Sequence, residues 1–135
     1  MPKSSRTRAV NGAQVRSYLE KADEFLAAAG AELAAGRFIA ATSLAIHAAI
    51  NAADAVAGTR TGRRAAGQDH EEVRSLLRES GKDGTELEKD LGRLLPLKTK
   101  AEYEPDEVAA SDATRAVERA GRCVAVAKRV VSTPS

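Results

Sequence analysis

The chain of 135 residues has no tryptophan and one cysteine, and aromatic residues make up only 3% of it. A single cysteine, Cys123, excludes an intramolecular disulfide. No apolar run reaches about 18 residues, so we predict no membrane-spanning helix. Residues 1–10 are basic but lack the apolar stretch of a secretory signal. We therefore expect a cytoplasmic protein.

Motifs for metal or nucleophilic chemistry are also missing. The sequence has no HExxH pattern and no cysteine pair, and neither a GxSxG elbow nor a Walker-type GxxxxGK[ST] loop. Cys123 falls near the apolar face of the last predicted helix, where a buried cysteine is usually inert. The net charge of +2 gives no strong expectation of a nucleic-acid surface. We predict neither a metal site nor a cofactor.

The chain does have many apolar residues at helical spacing. Hydrophobic residues make up 43% of it, and no segment alternates with a period of two, so no sheet is predicted. We interpret residues 1–10 as a disordered basic tail, 11–131 as one helical domain and 132–135 as a second tail. The predicted fold is all-α, a bundle of four main antiparallel helices plus one short helix. The helices are expected at about 12–35, 37–57, 70–80 and 85–100, and from Ser111 to about 131.

Capping and turn residues set the ends of the first two helices. Asn11 and Gln14 match a capping box, and Gly36 is a natural stop after the first helix. Gly58 is expected to end the second helix. Residues 58–68, GTRTGRRAAGQ, hold three glycines and three arginines and are predicted to form a loop.

The later boundaries depend on an aspartate, a proline and a serine. Asp69, followed by Glu72, is predicted to cap the short helix. Pro96 predicts a kink or an early helix end near Leu95, because proline lacks the amide hydrogen that a helix interior uses. Ser111 is expected to cap the last helix.

A polar stripe interrupts the second helix, whose sequence SLAIHAAINAADAV is otherwise almost wholly apolar. His47, Asn51 and Asp54 follow one another at i, i+4 and i+7, which places them on one face. About 10 Å of helix axis separates His47 from Asp54, so one metal ion cannot join them directly. The stripe fits three interpretations: a self-satisfied polar seam between helices, a face that meets a partner, or the wall of a functional cleft.

Two further groups of residues could face an anionic ligand. Arg60, Arg63 and Arg64 lie on the glycine-rich loop, where guanidinium groups could reach phosphates. No aromatic residue is interleaved to stack a base, which favours a solvated connector. His70 opens the short helix, where a plain surface residue is also common.

The segment after Pro96 is the second such group. Lys98, Lys100, Glu102 and Tyr103 bring two ammonium groups, a carboxylate and a phenol close together in sequence. They could face a phosphate or form a polar connector.

The order of these features resembles the HEPN domain family. The resemblance rests on GRFIAATSLAIHAAINAADAV (36–56), DHEEVRSLL (69–77), LKTKAEYEP (97–105) and SDATRAVERAGRCVAVAKRVV (111–131). Each piece is short, but their order is more specific, and together they cover about residues 11–131.

The resemblance implies a bundle of four or five helices that is commonly dimeric. Many members of the family are metal-independent RNases of toxin–antitoxin, CRISPR and phage-defence systems. Others bind RNA or nucleotides without catalysis, or act with small nucleotidyltransferases. The RNases carry Arg-x4–6-His, whose two residues meet at the dimer interface.

This chain departs from the RNase motif. Lys98 stands at the expected arginine position, and Glu102 and Tyr103 stand where a histidine is needed. Arg64 and His70 match the spacing elsewhere, but Arg64 lies in the glycine-rich loop. The resemblance therefore favours the fold more than RNase activity.

We predict a non-catalytic, homodimeric protein that binds a partner protein such as a nucleotidyltransferase, RNA or a nucleotide, in a toxin–antitoxin or defence context. The alternative is a divergent metal-independent RNase, with His47 or His70 as general acid and base and Arg64 or Lys98 stabilising the phosphorane. A third reading is an interaction scaffold without a ligand site. The residues expected to face the ligand are His47, Asn51, Asp54, His70, Lys98, Lys100 and Tyr103.

Overall fold

A computed structural model describes residues 7–66, 70–102 and 107–133 of the chain. The prediction of an all-α bundle is confirmed, with the helices close to their expected positions. A small antiparallel pair of strands is added to them. The elements are β1 (Thr7–Ala9), α1 (Gly12–Ala34), α2 (Phe38–Thr61), β2 (Arg63–Ala65), α3 (His70–Arg78), α4 (Gly81–Glu102) and α5 (Ala110–Ser132).

Helix α2 is the centre of the bundle and contacts each of the other four helices. Its alanines are buried on several faces, because side chains this small let neighbouring helices approach closely. Among the described residues, α2 is the one helix long and apolar enough to span a membrane by length and composition. More than half of its most apolar part is buried inside the bundle, as in a core helix.

The boundaries of α1 follow the sequence prediction. Asn11 and Gln14 form the expected capping box, in which each side chain bonds the other residue's backbone N–H at 2.9 Å. At the other end, Gly36 adopts a left-handed conformation with φ of 77°. The backbone N–H of Arg37 then donates to the carbonyl of Glu32, which closes the helix in a Schellman-type turn.

The end of α2 differs from the prediction. The helix continues through Gly58 to Thr61, and Gly62, with φ of 73°, is the residue that stops it. Gly58 serves a close approach instead, since a Cβ there would lie 2.8 Å from the side chains of Val10 and Val15. A glycine in a helical pattern can mark such contact rather than a stop.

The strand pair is the second difference. Thr7–Ala9 pairs antiparallel with Arg63–Ala65, with Arg8 opposite Arg64. The prediction that the chain forms no sheet is therefore wrong. The predicted disordered tail does not extend over residues 7–9, and the predicted loop does not extend over all of residues 58–68. Two strands of three residues are too short to show a period-two pattern.

Helix α4 is longer than predicted at both ends and runs through Pro96 without stopping. Proline costs the helix one hydrogen bond, but Leu87, Leu91 and Leu94 are fully buried and hold this helix against the core. The last helix begins two residues earlier than expected for a Ser111 cap: its N-cap is Ala109, which makes no side-chain bond. The predicted cap Asp69 lies outside the described residues.

Candidate functional site

Glu102, near the end of α4, gathers polar side chains from α2 and α4. Its carboxylate lies 2.8 Å from the Lys98 ammonium and accepts a hydrogen bond from the Ser43 hydroxyl at 3.2 Å. The His47 Nε2 atom lies 3.8 Å from the same carboxylate. We call Ser43, His47, Lys98 and Glu102 the Glu102 cluster. It joins two residues of the predicted site, His47 and Lys98.

The charges in this cluster are set by its contacts. The hydrogen bond from Lys98 is the main cause that lowers the pKa of Glu102, and Ser43 and His47 act in the same direction. Glu102 is therefore a carboxylate at neutral pH. The His47 side chain keeps 45% of its surface exposed, and its ring packs against Phe25 with ring centres 5.6 Å apart. A ligand can reach the imidazole from solvent.

A cavity of about 840 Å³ adjoins the cluster, and Ser43 belongs to both. We call it the α2–α5 cleft, because the first turn of α2 and the segment leading into α5 form its walls. Phe38, Ile39 and Val108 give it an apolar lining, and Ile39 is 49% exposed. The volume lies within the range of small-ligand sites. The remaining lining residues are Gly36, Arg37, Ala40, Ala101, Glu107, Ala109 and Ala110.

Two helix N-termini border the α2–α5 cleft. The N-cap residues of α2 and α5 are Arg37 and Ala109, and neither forms a side-chain cap hydrogen bond. The first backbone N–H groups of a helix have no partner within the helix and carry a partial positive charge. Arg37 itself is held by Glu32 through bonds of 2.8 and 3.0 Å.

Asp54 lies in a different environment from His47, near the other end of α2. Burial raises the pKa of Asp54 to about 7, while the positive charge of Arg64 acts to lower it. The Arg64 guanidinium lies 5.9 Å from the centre of the Tyr18 ring, within cation–π range. Burial also raises the pKa of Tyr18. Asp54, Tyr18 and Arg64 therefore form a second polar group.

A comparison with models of protein families identifies the family of this chain. The model of the HEPN domain matches residues 15–132, which is most of the sequence. The chain belongs to the HEPN domain family. A search of curated proteins found no match.

The polar stripe of this HEPN domain does not act as one unit. His47 belongs to the Glu102 cluster and Asp54 lies near Arg64. Asn51 donates its side-chain N–H to the backbone carbonyl of His47 at 2.9 Å, within its own helix. His47 thus lies at the end of the stripe nearer the α2–α5 cleft. The side chains of His47, Asn51 and Asp54 do not bond to one another.

The other predicted site residues of the HEPN domain are scattered. His70 is the first residue of α3 and is half-buried, and Lys100 is half-buried on α4. Tyr103 lies outside the described residues. The roles of these residues, and of Arg64 as a catalytic candidate, stay predictions.

Sequence reasoning missed two contributors to the site. Ser43 stands four residues before His47, so the stripe could have been extended backwards by one helical step. Phe25, on α1, packs on the His47 ring across the helix pair, and nothing in its local sequence signals that contact. The fully buried Cys123 agrees with an inert role, since burial raises the pKa of its thiol to about 12.

Proposed function

We propose that this HEPN protein is a non-catalytic binding protein that holds a nucleotide in the α2–α5 cleft. The observation that carries the proposal is that Ser43 belongs both to the wall of an apolar cavity of about 840 Å³ and to the Glu102 cluster beside it. The family is one of nucleotide-binding and RNase-type domains, which fits this class of ligand.

The cleft offers separate surfaces for the parts of a nucleotide. Phe38, Ile39 and Val108 provide apolar surface on which a base can pack. The N-terminal turns of α2 and α5 offer backbone N–H groups, which favour a phosphate. Ser43 adds a hydroxyl on the cavity wall, and Lys98 adds an ammonium to the adjoining Glu102 cluster.

The arrangement favours binding over catalysis. The RNases of the family bring an arginine and a histidine together, but in the described part of the chain no arginine bonds to His47 or Glu102. Arg37 lines the cleft, yet its guanidinium is held by Glu32. The Glu102 cluster offers a lysine, Lys98, in place of the arginine of those RNases, and its ammonium is paired with Glu102 at 2.8 Å, so the cluster is better suited to orient a ligand than to stabilise a phosphorane.

The experiment measures the affinity of the protein for each of the four ribonucleoside monophosphates by isothermal titration calorimetry. Lys98→Gln should weaken binding at least about ten-fold, the typical scale of one charge-assisted hydrogen bond. Lys89→Gln is the matched control, since Lys89 is an exposed lysine on the same helix. Equal affinity in both variants, or no heat from any nucleotide with the wild type, would contradict the proposal.

A quicker test uses the ultraviolet absorbance of the freshly purified protein. With no tryptophan and only two tyrosines, the protein absorbs weakly, so a co-purified nucleotide would be conspicuous. Extraction and chromatography would then identify it.

A metal-independent RNase is the second candidate function. It is favoured by the exposed His47 imidazole beside a carboxylate, an arrangement that can orient a general acid or base. This candidate predicts cleavage of RNA in EDTA that His47→Ala abolishes, with Lys98 stabilising the phosphorane. His70→Ala tests the alternative histidine, and activity that survives both changes excludes this assignment.

We also propose that the protein is a homodimer, as the family resemblance implies, and that it works with a partner such as a nucleotidyltransferase in a toxin–antitoxin or defence system. Sedimentation velocity tests the first part: a species with the mass of one chain at all concentrations would contradict it. Co-expression with the neighbouring gene product, followed by purification, tests the second.

A further inference from the structure

The Glu102 carboxylate is approached by donors at both of its oxygen atoms. Lys98 bonds to Oε1 at 2.8 Å, whereas Ser43 and His47 both approach Oε2. The Ser43 hydroxyl donates to Oε2 at 3.2 Å. The Nε2 atom of His47 lies 3.8 Å from the same oxygen, which is beyond hydrogen-bond distance. In this arrangement Ser43 holds the oxygen and His47 does not.

A proton on His47 would change which of the two donors is the stronger. Histidine is the side chain whose charge ordinarily changes between about pH 5 and pH 8. The bond from Lys98 is the main cause that lowers the pKa of Glu102, so Glu102 stays a carboxylate over that range. An imidazolium carries a full positive charge, and its attraction to a carboxylate exceeds that of a neutral hydroxyl. The protonated ring is therefore the preferred donor to Oε2.

The surroundings of His47 direct a protonated ring toward Glu102. Helix α4 places two charged groups there, the Glu102 carboxylate and, on its other oxygen, the Lys98 ammonium. Helix α1 contributes the uncharged ring of Phe25. Among the described residues, no charged side chain of α3, α5 or the strand pair forms an ion pair with His47. Glu102 is therefore the group to which an imidazolium at this position would bond.

Ser43 connects this competition to the α2–α5 cleft, because it belongs to the Glu102 cluster and also lines the cavity. While its hydroxyl donates to Glu102, Ser43 can offer a ligand only the acceptor side of its oxygen. A serine hydroxyl rotates to suit its partners, so a hydroxyl displaced from Oε2 can direct its hydrogen into the cleft. The protonation state of His47 thereby sets whether the cleft wall has this donor.

We propose that His47 is a pH-dependent switch, which when protonated takes the Glu102 oxygen from Ser43 and releases the Ser43 hydroxyl to donate to a ligand in the cleft. The protonated form favours the ligand, so affinity is highest at acidic pH and falls as His47 loses its proton. The effect on affinity rests on the proposed nucleotide function. The exchange of hydrogen bonds takes place in the ligand-free protein and can be measured there.

The first test follows the His47 imidazole by NMR titration of the ligand-free protein between about pH 5 and pH 8. The chain has two histidines, and the signal that is missing in His47→Gln assigns this one. Because the Ser43 bond competes with protonation, Ser43→Ala should raise the midpoint of the His47 titration, and Glu102→Gln should lower it. Ser75→Ala, at another half-buried serine, should leave it unchanged. A midpoint that Ser43→Ala fails to raise would overturn the proposal.

The second test measures affinity against pH by calorimetry, with the methyl ester of the nucleoside monophosphate that binds most tightly. The ester is needed because a phosphomonoester itself gains a proton near about pH 6, whereas a phosphodiester keeps one charge. Wild-type affinity should fall about five-fold between about pH 6 and pH 8, the scale of one hydrogen bond. His47→Gln and Ser43→Ala should each lose this dependence on pH, and Ser75→Ala should retain it.

The two tests separate the switch from the proposed function. If neither the nucleotides nor the ester binds, the proposed function fails together with the effect on affinity, and the NMR titration still decides whether the hydrogen bond at Glu102 moves. If the ester binds equally well at both pH values, or if Ser43→Ala keeps the wild-type dependence, the nucleotide function stands and the switch is refuted.

Discussion

Replacing Asp54 with asparagine is expected to stabilise the protein at neutral and alkaline pH but not at acidic pH. The Asp54 carboxylate accepts no hydrogen bond within the described part of the chain, and burial raises its pKa from 3.8 to about 7. The folded protein therefore holds a proton at Asp54 that the unfolded chain releases at a much lower pH. Asparagine has nearly the same shape and no charge to desolvate.

The sign and size of the effect follow from proton linkage. Below about pH 4, Asp54 is protonated in both the folded and the unfolded state, so its titration does not change the free energy of unfolding. Between about pH 4 and pH 7 the unfolded chain loses the proton first, so this residue lowers the free energy of unfolding as pH rises. A pKa difference of about three corresponds to roughly 4 kcal/mol above pH 7. That value is an upper limit, because the side chain keeps some contact with solvent.

The assay is urea unfolding of the wild type and Asp54→Asn, followed by circular dichroism at several pH values. The difference in free energy should be small near pH 4 and grow to a plateau above pH 7. Asp23→Asn is the control: Asp23 is 56% exposed and pairs with Lys128 at the surface, so its loss should cost less than about 1 kcal/mol at every pH. An Asp54→Asn difference that stays constant with pH would refute the reasoning.

Three substitutions test the packing of the bundle. Thr42→Val should raise the free energy of unfolding by about 1 kcal/mol or more in urea titrations, since this fully buried hydroxyl has no partner in the described structure. Gly84→Ala should lower it by about 3 kcal/mol or prevent folding, because a Cβ would overlap the backbone carbonyl of Leu77 on α3. Gly58→Ala should push Val10 away and speed hydrogen exchange in the strand pair, while global stability changes by less than about 1 kcal/mol because alanine favours the helix. Unchanged exchange at Val10 would contradict that last expectation.

The sequence was most informative where a local interaction sets the structure. The capping box at Asn11 and the left-handed Gly36 involve residues a few positions apart, and both could be predicted. Gly58 could not be interpreted correctly, because its role depends on Val10, which reaches it only after the strands have paired. The helix end predicted at Pro96 was wrong for a related reason, because the burial of neighbouring leucines outweighs the lost helical hydrogen bond.

Two residues of the candidate site, His47 and Lys98, could be named from the sequence, but the arrangement of the Glu102 cluster could not. His47 and Lys98 were both expected to face a ligand, but no local pattern identifies the residue that joins them. Glu102 connects them. Its carboxylate accepts a hydrogen bond from the Ser43 hydroxyl, 59 residues earlier in the chain, and another from the Lys98 ammonium, one helical turn earlier. Contacts over such a separation depend on how α2 and α4 pack, and packing is not encoded in any local pattern.

The polar stripe on α2 shows how one helical face can serve unrelated purposes. A face only seven residues long already spans about 10 Å, so its two ends meet different neighbours in a bundle of crossing helices. The His47 imidazole lies 3.8 Å from the Glu102 carboxylate beside the cleft. The Asp54 carboxylate instead interacts electrostatically with Arg64 on β2. Asn51, between them, bonds within its own helix and leaves the two ends uncoupled. A substitution at Asp54 should therefore alter stability and leave nucleotide binding in the cleft intact, and the same titrations that test Lys98→Gln can decide this for Asp54→Asn.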